Sequence, residues 1–191
     1  SFIASHIVNL LWAFAKLGDN GLLEQTATLK ATVTALLLHA ISKAKSKEDN
    51  DRFSTQDIAH LWWAVGKLGE LIELNVVESM IDFLIDGIRY PRQLSQGDAR
   101  MSLWGILACR ARLYLDPNSN AEKSGFLEKH IDNLFAHLKD KIEKNKEDLS
   151  ILGMAENWLG MTPQFVRDYQ ENISDTQAIF RTYLQSKMQH L

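Results

Sequence analysis

The chain has 191 residues, of which 46% are hydrophobic and 24% charged, and a net charge of −3. That length can bury a full core, either as one domain or as a short row of stacked units. The charge balance gives no global basic footprint for nucleic acid or an anionic membrane. The lone Cys109 excludes an internal disulfide framework and a thiolate zinc site.

The longest apolar run, around Ala35–Leu38, is far too short to span a bilayer. No secretory signal is visible, and a single cysteine fits a reducing, cytoplasmic setting. The chain opens at Ser1 without an initiator Met and is inside a recurring motif by Phe2, which leads to the expectation of a piece of a larger protein.

Phe2–Gly18 reads FIASHIVNLLWAFAKLG, and Phe53–Gly69 reads FSTQDIAHLWWAVGKLG, with Phe, Ile, Leu, Trp, Ala, Lys, Leu and Gly in register. Leu94–Arg110 (LSQGDARMSLWGILACR) keeps the Ser, the Asp and the Trp. The aligned residues Trp12, Trp63 and Trp104 are 51 and then 41 residues apart. Self-similarity at such a spacing is the signature of a helical-repeat array.

In the first copy, Ile7, Leu11 and Phe14 mark one apolar face, while Val8, Trp12 and Ala15 mark a second. A helix apolar on two sides can pack on its own partner and on the next unit. Ser5 is a late candidate start for it. A second helix follows, with Leu29, Val33, Leu36, Leu37, Ala40 and Ile41 inward, and then the polar linker Lys43–Arg52, expected to be a mobile loop.

In the second copy, Ser54 and Asp57 form a variant capping box, with Phe53 and Ile58 as a hydrophobic staple. Ile58, Leu61, Trp62, Val65 and Leu68 follow helical spacing, and Gly69 sits where a left-handed residue would end the helix. Asn75 and Glu78 form a capping box opening a helix with Met80, Ile81, Leu84 and Ile88.

The third copy repeats the cap with Ser95 and Asp98. Ser119 and Glu122 open its partner helix, with Leu127, Ile131, Leu134, Phe135, Leu138 and Ile142 on one face. A degenerate fourth copy begins at Leu149-Ser150, with Trp158 displaced by one position. Thr162-Pro163 opens a short helix, and Ser174-x-x-Gln177 a last one carrying Ile179, Tyr183 and Leu184. The expected fold is all-α: one α-solenoid over 1–191, an armadillo/HEAT-like superhelix of about four helical hairpins, with units near 2–50, 53–92, 94–146 and 149–191.

The motif Asn9-Leu-Leu-Trp-Ala-Phe-Ala-Lys-Leu-Gly18, preceded by an Ile, resembles the repeats of about forty residues in type III and type IV secreted bacterial effectors, including those of Ser-Lys-Trp-Pro type. It is also similar, more distantly, to octotricopeptide-like repeats of organellar RNA-binding proteins. The resemblance covers the first helix of three units. It implies an armadillo-like superhelix that binds a macromolecule, in an effector that would work in the host cytosol.

Candidate sites divide into core and surface. Trp12, Trp63 and Trp104, with Ile7, Leu10, Ile58 and Leu61, are read as repeat core; a ladder of aromatic platforms is the alternative for the tryptophans. Arg89, Arg92, Arg100, Arg110 and Arg112 cluster between the second and third units. As a strip they would hold an acidic peptide or phosphates by bidentate contacts; as residues near helix C-termini, Arg89, Arg110 and Arg112 would simply offset the dipole.

His6, His39, His60, His130, His137 and His190 make no His-x-x-x-His pair, so neither a metal nor a cofactor is expected. Cys109 reads as a buried thiol, Lys139–Asp148 as a solvated helix end, and Glu156 as indistinguishable from a surface carboxylate. No catalytic constellation stands out. The expected function is a non-enzymatic scaffold for a protein partner. RNA binding through the arginines, or a spacer role beside a catalytic domain elsewhere, are the alternatives.

Overall fold

The computed structural model describes residues 4–22, 24, 26–45, 53–88, 90, 93–115, 121–138 and 146–158. Among these residues the regular structure is entirely helical: α1 (Ala4–Asp19), α2 (Ala27–Lys45), α3 (Thr55–Leu68), α4 (Leu74–Gly87), α5 (Gln96–Leu115), α6 (Ala121–Leu138) and α7 (Lys146–Trp158), with a 3-10 turn at Gly69–Leu71. The Thr162 and Ser174 helices, Ser119, Ile142, Arg89, Arg92, and the linker from residue 46 to 52 lie outside the described residues, and Glu156 is described only as a backbone position of α7.

Local chemistry explains most of the boundaries. Ser54 Oγ accepts from the Asp57 amide at 3.1 Å, and Asp57 Oδ2 accepts from the Ser54 amide at 2.9 Å, closing the capping box that starts α3. At the start of α5, Ser95 Oγ accepts from the Asp98 amide at 3.1 Å and donates to Asp98 Oδ2 at 2.7 Å. Thr26, which the sequence did not single out, caps α2: its Oγ1 accepts from the Leu29 amide at 3.1 Å. Gly69, at φ 36°, ends α3 with its amide donating to the Val65 carbonyl.

Several expected boundaries shift. Gly18, aligned with Gly69, stays helical; α1 stops at Gly21 (φ 67°), where Leu22 donates to the Leu17 carbonyl and Gly21 to that of Gly18. This is a Schellman closure one turn later than the repeat register. The Asn75–Glu78 box does not open α4. The helix starts at Leu74, and Asn75 Oδ1 accepts from the adjacent Val76 amide instead. Ser150 lies within α7, which begins at Lys146, and Lys43–Lys45 belong to α2 rather than to a linker.

The helices alternate in role. α3 packs against α1 on one side and α5 on the other, and α7 lies against α5. α2 packs against α1 and α4, α4 against α3, and α6 against α5. α1, α3 and α5 therefore form a row, with α2 and α4 together behind its first two members.

The core lies between row and backing helices. Ile7, Leu11, Val33, Leu37, Ile58, Leu61, Trp62, Met80, Ile81 and Leu84 are buried there, and Leu103, Leu127, Ile131 and Leu134 carry it into the third unit. Trp62 Nε1 donates to the Leu84 carbonyl at 3.3 Å, which satisfies the one polar atom of a buried indole. No described helix is long and apolar enough to cross a membrane.

Candidate interaction surface

The three repeat tryptophans come together. The Trp12 and Trp63 ring centroids are 4.2 Å apart, and those of Trp63 and Trp104 6.5 Å. Trp63 is 8% exposed; Trp12 and Trp104 are half-buried, packed on the core from the rim of the row. Register explains the meeting: each tryptophan stands at the same place in α1, α3 and α5, and those helices are neighbours in that order. The three indoles thus pack on one another across neighbouring helices.

Two lysines at one repeat position complete the arrangement. Lys16 Nζ lies 5.1 Å from the Trp12 ring centroid and 4.7 Å from that of Trp63. Lys67 Nζ lies 5.6 Å from Trp63 and 4.9 Å from Trp104. Each ammonium thus bridges two indoles on successive helices, within the distance at which a ring quadrupole attracts a cation. His60 of α3 also meets Trp12, with ring centroids 4.4 Å apart and the planes tilted by 31°. The result is a ladder, tryptophan and lysine in alternation, running across three helices from Trp12 through Lys16, Trp63 and Lys67 to Trp104. Sequence reading missed the lysines, although the shared Lys-Leu-Gly after each Trp-Ala was the available signal.

Three of the five arginines, Arg100, Arg110 and Arg112, lie on α5. Arg110 is 6% exposed, and its Nη2 pairs with Glu128 Oε1 on α6. Arg112 Nη2 donates to the Ile72 carbonyl at 2.7 Å, tying the end of α5 to the connector before α4. Both guanidiniums make contacts within the fold. The reason is that α5 runs to Leu115, so Arg110 sits inside the helix, beside α6. Arg100 is half-buried on α5, and Arg89 and Arg92 lie outside the described residues.

Among the residues read as repeat core, Ile7, Ile58 and Leu61 are buried. Leu10 is not: it is 37% exposed on the side of α1 turned away from α3.

Cys109 is buried, and burial pushes its thiol up to about 12, with Arg112 opposing weakly. A thiol so held is protonated at neutral pH and is no nucleophile. His130, half-buried on α6, titrates below its usual value through desolvation and then the neighbouring Lys129. Among the described residues no group of three His, Cys, Asp or Glu side chains could hold a metal ion.

Neither a family model, nor a curated protein, nor a solved structure matches this chain.

Proposed function

We propose that this chain is part of an α-solenoid, armadillo/HEAT-like in arrangement, and that it acts as a non-enzymatic scaffold holding a protein partner on the tryptophan–lysine face of the α1–α3–α5 row. The observation that carries this reading is the ladder: Lys16 and Lys67 each lie over two of the three indoles Trp12, Trp63 and Trp104. Cations held over packed indoles combine apolar area with positive charge on a chain whose net charge is −3. That chemistry suits an extended segment carrying both carboxylates and apolar side chains. In the setting implied by the resemblance to secreted effectors, the partner is a host protein.

The test is capture from a eukaryotic lysate by the wild-type chain and by Lys16→Glu/Lys67→Glu, with and without nuclease, read by mass spectrometry. A protein retained through nuclease treatment by the wild type and lost at least tenfold by the double variant, with both folded by circular dichroism, supports the reading. Equal capture by both chains removes the ladder as the site. Recovery that collapses with nuclease turns the reading to RNA.

A further inference from the structure

In the row of first helices, α3 lies between α1 and α5. On α5, Gly105 abuts the backbone of Trp62 on α3. Ser102 and Cys109, three residues before and four after, share its helical face and are buried. The residues at the same repeat positions on α3 are Leu61, Ala64 and Leu68, all buried at 4% exposure or less. The remaining sides of α3 are taken: Gly66 faces Trp104 of α5, Ile58 meets Gly87 of α4, and Trp62 reaches the Leu84 carbonyl. The Leu61–Ala64–Leu68 stripe is therefore the side of α3 that α1 covers.

The same positions on α1 are Leu10, Ala13 and Leu17. Residue for residue they are identical to the α3 stripe: Leu, Ala, Leu. Here, however, Leu10 is 37% and Leu17 40% exposed, and Ala13 is exposed as well. A solenoid end that faces water carries a polar outer surface. This one instead repeats the inter-helix stripe, with a small residue between two leucines that admits a close neighbour.

We infer that the outer face of α1 is an inter-repeat docking face, and that its occupant is a further helix of the α1 pattern. α1 lies against α3 with Trp12 on His60 and Trp63, and the buried Val8 and Ala15 share the helical face of Trp12, at i, i+4 and i+7 with it, Lys16 following. An occupant of Leu10–Ala13–Leu17 therefore carries a branched aliphatic, a tryptophan and an alanine at those intervals. Its tryptophan falls beside Trp12, with its lysine over the Trp12 ring, and the ladder gains a rung. This extends the stacked-repeat reading above, but it concerns a different face from the partner surface.

The test adds such a helix at its natural tether. Residues 2–52 are duplicated between Ser1 and Phe2 of the full chain, so that the added first helix precedes α1 as α1 precedes α3. The readouts are amide hydrogen exchange at residues 9–18 of the original α1 and the urea slope. The inference expects exchange there to slow at least tenfold and the whole chain to unfold in one steeper transition. It also expects Leu10→Glu/Leu17→Glu to abolish both effects, while leaving the unextended chain's midpoint within experimental error because these positions are exposed. Unchanged exchange, or protection that survives the double substitution, overturns it. A concentration-dependent dimer of the unextended chain that the same substitution dissolves would seat a second copy on the face and also overturn it. Failure here leaves the Lys16/Lys67 capture result untouched, so the two readings fail separately.

Discussion

A β-carbon placed on Gly105 would stand 2.2 Å from the carbonyl oxygen of Trp62 and 2.4 Å from its carbonyl carbon. α5 therefore lies against the main chain of α3, with no side chain between them. This contact sets the closeness of the third helix in the row, and with it the reach from Trp63 to Trp104.

Gly105→Ala should destabilise the chain by about 1–3 kcal/mol, since overpacking against backbone cannot be relieved by a rotamer change. The helix propensity of Ala returns at most about 1 kcal/mol. Gly97, near the start of the same helix, is the control: a β-carbon there meets nothing closer than Ser95 Oγ at 3.8 Å. Gly97→Ala should be neutral or mildly stabilising. Urea unfolding of both variants checks the pair, and equal effects would dissociate Gly105 from the helix contact.

Trp63→Ala should cost about 3–5 kcal/mol, the range for truncating a large buried aromatic. The indole touches Trp12, Trp104 and both ladder lysines, so its removal empties the centre of the row. Lys16→Ala should cost less than about 1 kcal/mol, because the ammonium is exposed and well hydrated without the ring. Calorimetry separates the two, and a Trp63→Ala loss below about 1 kcal/mol would make the indole a surface platform instead.

Cys109 links stability to alkaline pH. Its folded pKa, raised to about 12 by burial, lies above that of an unfolded cysteine, near 8.5–9. The neutral thiol is thus favoured by the fold, and its contribution is complete below the unfolded value. From about pH 9 to 12 that contribution is lost, at up to about 1.4 kcal/mol per pH unit. Cys109→Ala should flatten this part of the stability profile relative to wild type. A thiol reagent at pH 8 should label the native chain only as fast as it opens, and an immediate reaction would contradict the burial.

What was legible in advance followed from local rules. The Ser54–Asp57 cap and the apolar faces of α2, α3 and α4 depend on neighbours within a few positions, and these are found. The start of α4 was misplaced because Asn75 spends its side chain on the adjacent amide. The ladder lysines were passed over because a lysine on an amphipathic helix ordinarily reads as solvated; their rings come from helices about fifty and forty residues away in the chain. Leu10 was assigned to the core by analogy with Leu61, which was sound for the pattern but took no account of which end of the row α1 occupies.

The arginines supply the sharpest check on surface against structure. Arg112 Nη2 and the Ile72 carbonyl are 40 residues apart and joined at 2.7 Å, and Ile72 is buried. Arg112→Met keeps the apolar stem but leaves that carbonyl without its charged donor, which should cost about 1–3 kcal/mol. Arg112→Lys should recover only part of this, because one compact ammonium lacks the planar fork of a guanidinium. Urea midpoints test the series. A structural role predicts that partner capture by Arg112→Met, measured well below its unfolding temperature, equals that of the wild type. Capture lost at unchanged stability would instead make Arg112 a contact residue and restore the arginine strip as the binding surface.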